Sequence, residues 1–261
     1  MPELPEVETI RSFLSPLLTG RQIIKINIFN KSQFTGDSRH VLGSRIVSVD
    51  RIGKVLLIHC NTDHTIQIHL KMSGQLLTKI DEKNEKYVRI SLQLDNFSSL
   101  FFLDPRKFGW MKITPTSEES RLIDVLSPQF TLPYFSSLTR SKQPIKILLM
   151  DQSKLAGIGN IYANEALFLS HIRPDRLSPT LSNEEISCLY NAIKSVIHKG
   201  IQTKGSSTTH VYRLPDGTKG AYQNHFMVYS REDKPCLQCK RPIIRTTLRG
   251  RGTFYCKHCQ K

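Results

Sequence analysis

No stretch of this chain stays apolar for anything near the ~20 residues that a membrane-spanning helix needs, and no basic leader precedes an apolar run at the start. A spanning protein and a secreted precursor are therefore not expected; a soluble intracellular protein is. Acidic residues are scarce: 22 Asp and Glu face 37 Lys and Arg, a formal net charge of +15. That excess goes beyond what solubility needs and points to a polyanionic partner, with nucleic acid ahead of an anionic membrane. No internal repeat and no low-complexity tract is found. Cysteine is sparse too, and only Cys60 and Cys188 lie outside a single motif. Both stand among apolar neighbours and are expected to be buried free thiols, which suits a reducing compartment.

The other four, Cys236, Cys239, Cys256 and Cys259, form Cys-x2-Cys, a sixteen-residue spacer and Cys-x2-Cys. Each such turn can bring two thiolates to about 2.3 Å from one Zn2+, and two turns close a tetrahedral shell. A closed shell leaves no place for water, so one structural zinc is expected. Residues 231–261 hold nine Lys and Arg against Glu232 and Asp233, a formal +7. Four thiolates and one Zn2+ sum to −2 and leave roughly +5, so the finger stays basic and suited to phosphate.

At 261 residues the chain can hold two domains. Val7, Ile10, Phe13, Leu14, Leu17 and Leu18 recur at helical spacing and Gly20 closes the run. From about 22 to 115 the pattern changes to short β runs, at Ile24 to Ile28, Ile46 to Val49, Val55 to Ile58, Ile66 to Leu70, Val88 to Leu94 and Leu100 to Leu103. These suggest a β-sandwich or barrel. Leu126 to Pro144, with its prolines and serines, reads as a linker. Ile145 to Met150, the turn Ala156-Gly157-Ile158-Gly159-Asn160 and Ile161 to Phe168 read as helix, wide turn, helix. A further helix starts at the capping box Ser182-x-x-Glu185 and runs to about Ile201. Lys204 to Gly220, rich in Gly, Ser and Thr, reads as a flexible loop.

Pro2 and Glu3 are the second sharp feature. Removal of Met1 would expose a secondary amine beside a carboxylate. An α-amine has a pKa near 8 against about 10.4 for Lys, so much more of it is neutral and nucleophilic at pH 7. Its adduct with a sugar carbonyl equivalent would be an iminium, an electron sink for eliminations, and Glu3 could move protons. The same residues also serve to start a helix, with Pro5 in the first turn and Glu6 and Glu8 near the positive dipole end.

Met-Pro-Glu-Leu-Pro-Glu-Val-Glu-Thr-Ile resembles the start of bacterial formamidopyrimidine-DNA glycosylases. Further matches follow in the family's order: Gly53-Lys54, His69-Leu70-Lys71-Met72-Ser73-Gly74, Asp104-Pro105-Arg106-Lys107-Phe108-Gly109, Ala156 to Tyr162 with Glu165-Ala166-Leu167, and Gly250-Arg251-Gly252-Thr253-Phe254-Tyr255-Cys256. The resemblance implies an α+β fold: an N-terminal β-sandwich catalytic domain with an N-terminal helix over 1–130, a helix-two-turns-helix DNA-binding domain with a lesion-capping loop over 131–230, and a β-hairpin zinc finger over 231–261. It implies a bifunctional base-excision-repair enzyme that removes oxidised purines from duplex DNA and cuts the strand by β,δ-elimination, working as a monomer in the bacterial cytoplasm at the nucleoid. Pro2 would be the nucleophile, Glu3 its acid/base partner and Glu6 a supporting carboxylate. Lys54 would assist base release and β-elimination, and Arg251 would grip phosphate and serve δ-elimination.

Met72, Arg106 and Phe108 match the trio that enters the duplex when the damaged nucleotide is everted, where an apolar wedge offsets lost stacking. As residues alone, Met72 and Phe108 read equally as core, since Met72 shares the parity of Ile66, Ile68 and Leu70. His69 and Lys71 alternate to the other face, towards phosphate. Asn160, at a helix start, can hold a phosphate or simply cap the helix. Lys142 matches a further DNA contact, and Tyr87 stands where many members have a DNA-contacting histidine. Val211 stands where the family usually has an acidic residue in the loop over the everted base, and Lys71 where glycine is frequent. Two alternatives stay open: an endonuclease VIII-like glycosylase for oxidised pyrimidines, and a non-catalytic zinc-ribbon nucleic-acid-binding protein.

Overall fold

The computed structural model describes residues 1–118, 122–208 and 212–261. Helix α1 (Leu4–Leu18) buries Val7, Ile10, Leu14 and Leu18 along one face. The chain then lays down strands β1 (Ile23–Ile28), β2 (Phe34–Thr35), β3 (Ile46–Ile52), β4 (Val55–Cys60), β5 (His64–His69), β6 (Gln75–Leu77), β7 (Val88–Leu94), β8 (Ser99–Leu103) and β9 (Trp110–Pro115), with the short helix α2 (Glu82–Glu85) before β7. One sheet has the order β1-β7-β8-β6 and the other β2-β9-β5-β4-β3. Ile58, Ile66 and Ile68 from one sheet and Ile90, Leu92 and Phe102 from the other share a core with Ile10 and Leu14 of α1. This is the expected sandwich with its leading helix. Strands β6 and β9 escape the sequence pattern: one has three residues, and the other offers only Met111 and Ile113 to the core.

Helices α3 (Leu132–Leu138), α4 (Ile145–Leu149), α5 (Asn160–Leu169) and α6 (Asn183–Gln202) follow, and the hairpin β10 (Ile244–Leu248) and β11 (Arg251–Tyr255) closes the chain. Helix α3 lies inside the stretch expected to be a linker. Its prolines do not prevent it, because Pro133 sits in the first turn and Thr131 accepts the Tyr134 N–H at 3.3 Å as a cap. On α6 the buried stripe is Ile186, Leu189, Ala192, Ile193, Val196 and Ile197. Cys188 lies off that stripe and is exposed, contrary to expectation, whereas Cys60 is buried. No helix among the described residues is long and apolar enough to cross a membrane.

The chain divides into two compact units, residues 1–121 with 203–223, and residues 122–202 with 224–261. The loop at 204–220, expected with the helices, belongs to the sheet unit. Ser206 N–H donates to Glu6 Oε1 at 2.8 Å, Thr78 N–H donates to the Pro215 carbonyl at 2.8 Å, and Tyr212 and Leu214 lie in the sheet core. Its described part is thus tied down rather than loose. The finger, expected as a separate domain, shares a unit with the helices. Buried Glu165 of α5 accepts N–H groups of Met227, Val228 and Tyr229 at 2.7, 3.0 and 2.8 Å.

Candidate functional site

At the start of α1, Pro2, Glu3 and Glu6 are all buried. Glu6 Oε2 accepts the Glu3 N–H at 2.8 Å while its Oε1 takes Ser206, so one carboxylate joins the helix start to the downstream loop. The approach is close enough that a Cβ on Gly205, whose φ is +76, would meet Glu6 Cγ at 2.7 Å. Lys54 occupies the two-residue turn between β3 and β4, after Gly53 at φ +57. Arg51, just before that turn, donates to Glu8 Oε2 and to the Gly53 carbonyl, both at 3.0 Å, and Arg11 donates to Glu8 Oε1 at 2.6 Å. Burial opposes ionisation of Glu8, yet the bonds from Arg11 and Arg51 outweigh it and hold the carboxyl below its ordinary value. These bonds fasten the turn to α1 and leave Lys54 buried. Burial draws the Met1 amine below its ordinary value; Glu3 and Glu6 oppose this, and Lys54 and Arg106 add to it. The four side chains therefore all act electrostatically on the N-terminus.

Met72 and Phe108 do not join the core; they are 48% and 51% exposed. Strand alternation carries no information for Met72 because β5 ends at His69 and Lys71 turns the chain at φ 49. The Arg106 guanidinium lies over the Phe108 ring at 4.8 Å. His69 Nδ1 accepts the Lys71 N–H at 2.9 Å, which requires an unprotonated nitrogen there. Burial first, then the charges of Lys71 and Lys54, lower its pKa to about 4. Tyr87 is half-buried before β7, with the Lys86 ammonium 5.2 Å from its ring centroid. Val211 lies outside the described residues.

In the other unit, α4, a turn and α5 form the expected helix-turn-helix. Gln152 braces the turn, donating to the Ile158 carbonyl at 2.7 Å and accepting the Gly157 N–H at 3.0 Å, a role its sequence surroundings do not reveal. Gly159 is the N-cap, so Asn160 is the first helical residue and does not cap the helix. Asn160 is half-buried, while Lys142 and Arg251 are exposed. Arg251 opens β11 directly after the turn Arg249-Gly250, whose φ values of 45 and 73 fit a tight two-residue hairpin. Fully buried Lys146 donates to the Gly252 carbonyl at 2.8 Å and to Thr253 Oγ1 at 2.7 Å, and Asn164 Oδ1 accepts the Phe254 N–H at 2.8 Å. Both residues fix the hairpin to the helices, and neither stands out in sequence.

The Sγ atoms of Cys236, Cys239, Cys256 and Cys259 all lie within 4.8 Å of one another. The Cys236–Cys259 and Cys239–Cys256 separations are 3.8 and 3.4 Å, near the ~3.8 Å edge of a tetrahedron with 2.3 Å Zn–S bonds. The cluster fits one structural zinc, which would cross-link the two knuckles when bound.

A sandwich unit, a helix-turn-helix and a four-cysteine hairpin define a zinc-finger DNA glycosylase architecture, and family models match all three parts in order. The formamidopyrimidine-DNA glycosylase N-terminal domain matches residues 1–111, the formamidopyrimidine-DNA glycosylase H2TH domain 123–211, and the zinc finger found in FPG and IleRS 233–261. The chain belongs to the formamidopyrimidine-DNA glycosylase family. It is 39% identical over 276 residues to the formamidopyrimidine-DNA glycosylase of Desulforamulus reducens, covering 100% of this chain and 99% of that one. The MutM (Fpg) crystal structure from Thermus thermophilus is 36% identical with a TM-score of 0.91, covering 99% of this chain and 98% of that one. Two Lactococcus lactis Fpg structures, each 30% identical, are also similar. The complex with DNA containing Fapy-dG has a TM-score of 0.88 and covers 99% of this chain and 100% of that one. The complex with DNA containing an oxidised pyrimidine has a TM-score of 0.90 and covers 100% of each.

Proposed function

We propose that this protein excises oxidised purines from duplex DNA and then cuts the strand at the resulting abasic site. The observation that carries this reading is the gathering of Glu3, Glu6 and Lys54, all buried, around the amino terminus. With Met1 removed, the Pro2 nitrogen attacks the anomeric carbon of a damaged nucleotide as the glycosidic bond breaks and the base departs with its electron pair. Surroundings that lower the Met1 amine's pKa would likewise keep a proline amine neutral and nucleophilic. Opening of the sugar gives an iminium on Pro2. Loss of a C2′ proton then expels the 3′ phosphate, and a second elimination expels the 5′ phosphate. Glu3 carries protons in these steps and Lys54 assists base release and the first elimination. Arg251 holds phosphate for the second. Met72, Arg106 and Phe108 fill the space of the everted nucleotide, and His69, Tyr87, Lys142 and Asn160 hold the backbone.

Borohydride trapping on abasic duplex DNA tests the nucleophile. Protein lacking Met1 by intact mass should form a covalent adduct that Pro2→Gly loses; equal trapping by the variant would remove Pro2 from this role. A second reading, preference for oxidised pyrimidines, draws on the Lactococcus lactis complex with such a base. Cutting rates on duplexes carrying formamidopyrimidine, 8-oxoguanine or thymine glycol separate the two, and a strong preference for thymine glycol would establish the second.

A further inference from the structure

Asp104 is fully buried, and its carboxylate is a meeting point for two turns. Oδ1 accepts the hydroxyl of Ser73, the neighbour of Met72. Oδ2 accepts the Gly109 N–H at 2.7 Å, next to Phe108, and the Gln33 Nε2 at 2.9 Å. The same Gln33 amide donates to the Gly109 carbonyl at 2.9 Å, closing a ring of bonds around the second turn. The Asp104 backbone N–H donates to the Tyr87 carbonyl at 3.0 Å. The turns also touch directly. A Cβ on Gly109 would stand 2.9 Å from the His69 carbonyl oxygen and 3.2 Å from that of Leu70. Both turns pass through a left-handed residue, Lys71 at φ 49 and Lys107 at φ 58, a conformation that side-chain-bearing residues hold only when neighbours enforce it. Met72 and Phe108 stand exposed beyond this buried network.

We propose that Asp104 is a positioning residue that locks the Met72 turn to the Arg106–Phe108 turn, so that the three side chains enter the duplex as one preset unit. This rests on the reading of Met72, Arg106 and Phe108 as the groups that occupy the duplex. Side chains free to reorient would lose entropy on insertion and arrive singly. Held by a shared buried carboxylate, they meet the stack already arranged. The contribution belongs to eversion and not to the chemistry at the sugar.

Ser73→Ala removes one donor from Asp104 while sparing the carboxylate and its other bonds, which protects the fold. Single-turnover excision from a duplex carrying 8-oxoguanine should slow about tenfold, the worth of one well-placed hydrogen bond. Cleavage of an abasic site in single-stranded DNA, where nothing needs unstacking, should stay within about twofold. Ser73→Ala combined with Phe108→Ala should be no slower on the duplex than Phe108→Ala alone, because the wedge Ser73 helps to place is already gone. Equal slowing of both substrates by Ser73→Ala, or additive losses in the double variant, overturns the positioning role. An unaffected duplex rate in both Phe108→Ala and Met72→Ala instead overturns the wedge reading beneath it.

Discussion

Glu6 holds two backbone N–H groups with its two carboxylate oxygens, one from its own helix start and one from a loop two hundred residues further along the chain. An amide offers a single acceptor and turns a donor toward the other N–H, so Glu6→Gln is expected to cost ~1–3 kcal/mol in urea unfolding and to raise hydrogen exchange at the Ser206 amide. His69 makes a different prediction. Its folded pKa of about 4 lies below the ordinary 6.5, so the unfolded chain takes up a proton first as pH falls. Its contribution to stability is complete above pH 6.5 and is lost as pH falls toward 4. Urea midpoints of wild type and His69→Asn should therefore run parallel above pH 6.5 and converge or cross between 6.5 and 4. A neutral imidazole also contributes no counterion release, so His69→Asn should leave the salt slope of DNA binding unchanged.

Among the elements, the β10–β11 hairpin shows how backbone conformation places an exposed charge. Gly250 at φ +73 is needed by the tight turn that puts Arg251 at the start of β11. Gly250→Ala should cost ~1 kcal/mol by strain in thermal unfolding. Arg251→Ala should leave stability unchanged and reduce the slope of log Kobs against log salt by about 0.9, one phosphate's worth. Zinc chelation removes the cross-link between the knuckles and should abolish tight DNA binding, measured by fluorescence anisotropy after metal analysis confirms the loss. The cysteine spacing discloses the metal site, because metal geometry dictates the sequence interval, whereas the hairpin follows from the family resemblance. Helix α3 and strand β6 are hidden, because a proline in a first turn and a three-residue strand have no periodicity to display, and β9 shows only the two core positions Met111 and Ile113. The site divides the same way. Pro2, Glu3, Lys54 and Arg251 stand in motifs, and so does Asp104, but the bonds of Asp104 to Gln33 and Ser73, of Gln152 to its own turn and of Lys146 to Gly252 appear only in the fold.

For the whole molecule, the passage of the chain between its units matters more than their sizes. It leaves the sheet unit near residue 121, returns at 203 and leaves again at 223. Tyr212 and Leu214 thereby reach a core otherwise built from the first 113 residues. Leu214→Ala should destabilise that core by ~2–5 kcal/mol, seen as faster hydrogen exchange in α1 and β4 without a matching change in α6. On a ribosome the same route imposes an order of events. Strands made first must wait, with part of their apolar interior unfilled, while the whole run of α3 to α6 is synthesised, and they are completed only when residue 214 emerges. The sheet unit is complete at residue 223 and the other only at 261, yet through the long interval before residue 214 the nascent sheet needs protection from association with its neighbours.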